Sequence, residues 1–201
     1  MKTITVAITG ASGVAYSLRL MELLLQAGHR VYLVYSSAAQ FVAAQECGVT
    51  LSPKVAETRQ MLLNRYACKP EQLQVFARED WMAPMASGTG ATDAMVVCPC
   101  TMGALAAIAC GMSDNLIERA ADVMLKEQKK LILVPRETPF SAIHLENMLK
   151  LARMGAVILA PNPGFYHLPT TIEDMVDFVV AKILDQLQVE HQLMARWGAA
   201  D

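Results

Sequence analysis

Four short segments hold the residues best suited to chemistry, and each follows an apolar run. Residues 3–9 lead into Gly10-Ala11-Ser12-Gly13, and residues 31–35 lead into Ser36. Residues 94–98 lead into Pro99-Cys100-Thr101-Met102-Gly103, and residues 131–134 into Pro135-Arg136-Glu137. A glycine-rich turn opening a helix offers free backbone N–H groups and a partial positive charge, which suits a phosphate. Ser12, Ser36 and Thr101 add hydroxyl donors, and Arg136 adds a full charge. Small and polar residues are also ordinary turn formers, so no single segment decides the matter. Their repetition after four of the six predicted strands places several anion-friendly groups at one edge of one sheet. The first loop lacks the GxGxxG pattern, and no acidic residue ends the second apolar run. Standard dinucleotide binding is therefore disfavoured, and a mononucleotide with one phosphate suits the loop better.

A second group of candidates lies further along. Arg119 and Lys126 are seven residues apart, so they share a helix face near Val123, with Asp122 placed to hold either cation. Such side chains can simply snorkel from the edge of a buried stripe. The functional reading is a site for an anion joined to an apolar group. Glu46 ends one helical segment, and Glu137 follows Arg136 directly. Two carboxylates beside a phosphate can manage proton traffic. Metal chemistry is not indicated. Cys98-Pro99-Cys100 has no second Cys or His pair at matching spacing, and His29, His144, His167 and His191 are scattered. The 13 methionines read as adaptable core and interface filler.

The elements that must position these residues alternate from end to end. The pattern predicts strands at residues 3–9, 31–35, 74–76, 94–98, 131–134 and 156–159. Helices follow Gly13, run from Ser36 to about Glu46, from 55 to 66, from Asn115 to about Lys126, and from 172 to 187. Thr138-Pro139 reads as an N-cap followed by proline at the first helical position, and Asn115 to Glu118 has capping-box spacing. Strands joined through single helices predict right-handed crossovers and one doubly wound α/β domain with a parallel sheet, spanning 1–188. Residues 189–201 form a C-terminal tail expected at a subunit interface. Apolar residues make up 54% of the 201, a surplus that favours oligomerisation. The formal charge of −2 provides no field for nucleic acid or anionic lipid. Five cysteines in apolar contexts, with no signal peptide and no membrane span, point to a reducing cytoplasmic setting.

Taken together, the segments resemble the UbiX/Pad family of flavin prenyltransferases. The resemblance rests on Thr9-Gly10-Ala11-Ser12-Gly13, Ser36-Ser37-Ala38-Ala39 and Val97-Cys98-Pro99-Cys100. It continues through Asn115-Leu116-Ile117-Glu118-Arg119-Ala120-Ala121-Asp122-Val123, Leu133-Val134-Pro135-Arg136-Glu137-Thr138-Pro139, Gly155-Ala156-Val157-Ile158, Gly164-Phe165-Tyr166-His167 and Arg196-Trp197. It covers nearly the whole chain in order. It implies a Rossmann-like six-stranded sheet of order 3-2-1-4-5-6 and a homododecamer with sites between subunits. FMN would be held by Gly10, Ala11, Ser12, Ser36, Thr101, Met102, Gly103, Ala104 and Arg136, with Trp197 as an aromatic wall. Dimethylallyl monophosphate would meet Arg119, Lys126, Glu137, Tyr166 and Lys182. Glu46 and Glu137, with Ser12, would be catalytic. The implied reaction joins the dimethylallyl group to N5 and C6 of reduced FMN without a metal, and the prenylated FMN then serves a UbiD-type decarboxylase.

Two departures stand out. The family commonly has polar side chains where this chain has Met102 and Ala104, so contact there would be through the backbone. It also commonly has arginine at the position of Lys182, so a bidentate phosphate contact would become a point charge. Three other readings compete, one of them direct decarboxylation of a prenylated hydroxybenzoate. An FMN-dependent cysteine-type decarboxylase shares the implied fold, but the stretch Pro84-Met85-Ala86-Ser87-Gly88-Thr89 has no histidine nearby. A non-catalytic flavin carrier would need the loops but not Glu46, Glu137, Arg119 and Lys126 together.

Overall fold

The computed structural model describes residues 1–194. Six strands form one parallel sheet: β1 (Thr3–Ile8), β2 (Arg30–Tyr35), β3 (Leu73–Phe76), β4 (Ala94–Cys100), β5 (Lys130–Pro135) and β6 (Val157–Ile158). Their order is β3-β2-β1-β4-β5-β6, as the family resemblance implies. Val6 of β1 lies opposite Leu33 of β2 on one side and Val96 of β4 on the other. Seven helices cover the sheet: α1 (Val14–Gln26), α2 (Ser37–Cys47), α3 (Val55–Tyr66), α4 (Met102–Ala109), α5 (Leu116–Lys126), α6 (Ala142–Arg153) and α7 (Ile172–Leu187).

The central strands are apolar on both sides because helices cover both faces, and the period of two sorts their side chains. Ile4, Val6, Ile8, Val96, Cys98, Ile132 and Val134 pack in one core with buried residues of α1, α2, α3 and α7. Ala7, Met95, Val97, Leu131 and Leu133 pack in the other, against α4, α5 and α6. Any residue of α5 is therefore separated from α7 by the sheet itself. Within the first layer, Arg19 of α1 grips Asp177 of α7 through Nε at 2.7 Å and a terminal nitrogen at 3.1 Å. Val189 is buried in the same core, and Leu193 and Met194 pack against it.

Three local expectations change. Helix α6 does not begin at Thr138-Pro139. Ser141 caps it, accepting from the His144 N–H, while the His144 ring accepts from the Ser141 N–H. Thr138 instead turns its hydroxyl onto the Glu137 carbonyl at 2.8 Å. At α5 the Asn115 side chain accepts from the Ile117 and Glu118 N–H groups, but Glu118 reaches back to the Asp114 N–H rather than to Asn115. Strand β6 is shorter than predicted because the Ala156 N–H is taken by the Leu151 carbonyl at the end of α6.

Candidate active site

The carboxyl ends of β1, β2 and β4 open onto a cavity of about 180 Å³. Thr9, Gly10, Ser36, Ala38, Arg78, Thr101, Ala104, Asn115, Ile117 and Glu118 line it. Three helices begin there. Ser36 caps α2, its hydroxyl accepting from the Ala39 N–H at 3.1 Å. Thr101 caps α4, accepting from the Ala104 N–H at 3.1 Å, and Asn115 caps α5. The convergence of helix N-termini makes this a place of positive potential with outward-facing donors.

The strand ends are locked to one another. Buried Thr9 donates its hydroxyl to the Pro99 carbonyl at 2.7 Å and accepts from the Thr101 N–H at 2.8 Å, so β1 fixes the exit of β4. The Arg136 N–H donates to the Cys100 carbonyl at 3.2 Å and ties β5 to the same edge. Gly10 is required by close approach, since a Cβ there would overlap the Cβ of Ala38 in the first turn of α2. Burial pushes the thiols of Cys98 and Cys100 up to about 12.

Among the residues expected to hold FMN, Gly10, Ser36, Thr101 and Ala104 meet at this cavity. Ala11 is buried beside it in the chain, and Ser12 is exposed at the turn. Met102 points into the second core, Gly103 is exposed, and Arg136 stands exposed after β5. Trp197 lies outside the described residues. Arg78, Asn115 and Glu118 were not singled out as ligands from the sequence. Asn115 announced itself only as a helix cap, and Arg78 sits in a loop without periodicity.

Glu46 takes an unexpected position. The N-cap of α1 is Gly13, at φ 112°, which has no side chain to satisfy the first N–H groups of the helix. Glu46 Oε2, from the end of α2, accepts from the Gly13 N–H at 2.9 Å and the Val14 N–H at 3.3 Å. Tyr16 lies close by, and its phenol is held above the usual range by burial, with Cys98 and Glu46 adding to the effect. Glu46 also borders a groove of about 740 Å³ between α1, α2, α3 and α7. Glu137 accepts from the Thr138 N–H at 3.2 Å.

The cations expected to meet the prenyl phosphate divide between the two layers. On α5, Arg119 donates through Nε to the Ala86 carbonyl and through a terminal nitrogen to Asp122, both at 2.9 Å. Lys126, at the end of the same helix, pairs with Glu127 at 2.5 Å. On the other face, Lys182 of α7 stands 5.5 Å from the centre of the Phe178 ring, and Tyr166 meets that ring edge-on at 5.8 Å. One chain thus carries Arg119 and Lys126 on α5 and sets Tyr166 and Lys182 around Phe178, on opposite sides of its sheet.

The Flavoprotein family profile matches residues 1–184. The flavin prenyltransferase UbiX of Pseudomonas aeruginosa is 53% identical over 195 residues, covering 97% of this chain and 93% of that protein. A dodecameric FMN-dependent UbiX-like decarboxylase from Escherichia coli O157:H7 superposes with a TM-score of 0.87 at 38% identity, covering 98% of this chain and 100% of that one. AnUbiX (PadA1), solved in complex with FMN and dimethylallyl pyrophosphate, gives 0.88 at 37% identity, with 100% and 99% covered. This chain belongs to the UbiX-type flavin prenyltransferases within the flavoprotein family.

Proposed function

We propose that this chain transfers the dimethylallyl group of dimethylallyl monophosphate to N5 and C6 of reduced FMN, and that the prenylated flavin passes to a UbiD-type decarboxylase. The observation that carries the reading is the meeting of Gly10, Ser36, Thr101 and Ala104 at one cavity where α2, α4 and α5 begin. Its hydroxyls and backbone donors suit a single phosphate and a polar chain. When bound, reduced FMN supplies the nucleophilic nitrogen.

The chain's own residues then have separate tasks. Arg119, Lys126 and Lys182 neutralise the charge on the departing phosphate, as fixed cations in place of a divalent ion, and Tyr166 adds a hydroxyl. Glu137 and Glu46 hold or move protons, with Ser12 beside the glycine turn. Because α5 and α7 lie on opposite faces, Arg119 and Lys126 combine with Tyr166 and Lys182 only when one chain's α5 edge meets another chain's α7 edge. Assembly into a dodecamer, the state of the Escherichia coli neighbour, would provide chain-to-chain junctions for such a meeting. The exposed apolar side chains of α6, Ile143, Leu145 and Leu149, are consistent with assembly. No helix among the described residues is long and apolar enough to cross a membrane, and Cys47, Cys68, Cys98, Cys100 and Cys110 are all free. Both facts fit work in a reducing cytoplasm.

The test is transfer of product. Filtrate from an anaerobic incubation of the protein with reduced FMN and dimethylallyl monophosphate should activate a UbiD-type apo-decarboxylase. Filtrate lacking the prenyl phosphate should not. Equal activation by both filtrates would count against the proposal.

A further inference from the structure

We infer that Arg78 is a further binding residue for the phosphate of FMN, an inference that rests on reading the cavity at the ends of β1, β2 and β4 as the flavin site. Arg78 lies in the loop after β3, away from the glycine turn and the PRE segment. Its carbonyl accepts from the Leu116 N–H at 2.7 Å, which fastens this loop to the first residue of α5. Arg78 lines the same cavity as Gly10, Ser36, Thr101 and Asn115.

Arg78 is half-buried, and among the described residues its guanidinium makes no hydrogen bond or ion pair. Several other cations are engaged, Arg19 by Asp177 and Glu22, Arg119 by Asp122, and Lys126 by Glu127, whereas Arg136 stands exposed to water. A cation drawn partly out of water without a partner is unfavourable unless an anion joins it.

The rest of the lining sharpens the point. Ser36 and Thr101 offer neutral hydroxyls, each already accepting from its own helix. The first turn of α4 adds no other polar side chain, because Met102 is buried in the core and Gly103 and Ala104 have none to give. Glu118 lines the cavity as a carboxylate whose Oε2 accepts from the Asp114 N–H at 2.9 Å. Without Arg78, a phosphate entering this cavity would face neutral donors and one negative charge. Arg78 cancels that charge and can supply a forked, charge-assisted contact.

The experiment compares FMN with riboflavin, which differ by the phosphate alone, in equilibrium titrations of the wild type, Arg78→Met and Arg78→Lys. Arg78→Met should weaken FMN binding by about ten- to a hundredfold while leaving riboflavin within about twofold. Arg78→Lys should recover part of the loss, and the salt dependence of FMN binding should flatten in Arg78→Met. The backbone bond to Leu116 survives both substitutions, so thermal melts should match the wild type. Equal weakening of FMN and riboflavin, or unchanged FMN affinity, would overturn the role of Arg78. A wild type that binds FMN no better than riboflavin would instead overturn the reading of the cavity, and the inference with it.

Discussion

Glu46 Oε2 sits 2.9 Å from the Gly13 backbone nitrogen and acts as the missing N-cap of α1. A glycine in the left-handed conformation makes the turn after β1 but leaves the helix without a side-chain acceptor. A carboxylate arriving from α2 fills that role, and its charge suits the N-terminal end of the helix dipole. One residue is thus both a brace for the turn after β1 and a candidate proton carrier.

The two roles can be separated by substitution. Glu46→Gln keeps an acceptor oxygen for the Gly13 N–H but loses the titrating group. It should melt within about 1 °C of the wild type, with turnover reduced at least tenfold. Glu46→Ala removes the cap as well and should lower Tm by about 2–4 °C. If Glu46→Gln retains full turnover, Glu46 is a structural cap alone.

Arg119→Ala and Lys126→Ala should each raise KM for the prenyl phosphate by about ten- to a hundredfold, the worth of a charge-assisted contact. FMN affinity should stay within a few-fold, because neither residue lines the cavity at the ends of β1, β2 and β4. Parallel losses of FMN binding would assign these cations to the flavin or to the fold. Steady-state kinetics paired with flavin titration make the distinction.

Arg119 and Lys182 lie in opposite layers, so inactive variants of each should complement one another. Subunits of Arg119→Ala and Lys182→Ala, exchanged in equal amounts, should regain activity near about a quarter of wild type, since random pairing leaves that share of junctions intact. Mixed oligomers no more active than either parent, with exchange verified by mass, would mean that the two residues do not share a site.

Cys98 and Cys100 flank a proline beside the cavity at the ends of β1, β2 and β4, yet burial pushes both thiols up to about 12. Thiolate is the reactive form, so between pH 7 and 9 both stay protonated and inert. Iodoacetamide at pH 8 should modify exposed Cys110 and leave Cys98 and Cys100 unmodified until the protein is denatured. Rapid modification of either buried thiol in the native protein would contradict this.

Most element bounds were legible because apolar runs and cap residues are local signals, whereas the strand order came only from the family resemblance. Ser36, Asn115 and the 172–187 helix needed no distant partner to be read. The start of α6 was misread because Thr138-Pro139 is a good helix opening in isolation, whereas Ser141 and His144 form a reciprocal cap three residues later. The remaining gaps are tertiary. That Glu46 would reach Gly13 depends on how α2 packs on α1, and that Arg78 would border the cavity depends on the Leu116 bond. The split of Arg119 from Lys182 follows only from which face each helix covers. Sequence spacing encodes none of these.

The most direct measurement is the mass of the flavin after reaction. The protein would be incubated anaerobically with dimethylallyl monophosphate and either reduced or oxidised FMN, with and without excess EDTA, and the flavin analysed after denaturation. The account predicts that reduced FMN gains the mass of one dimethylallyl-derived group, equally with EDTA present, and that oxidised FMN is unchanged. An unaltered mass with reduced FMN would contradict prenyl transfer. Product from oxidised FMN would contradict nucleophilic attack by the reduced flavin, and loss of product in EDTA with rescue by Mg²⁺ would contradict fixed side-chain cations as the partners of the leaving phosphate.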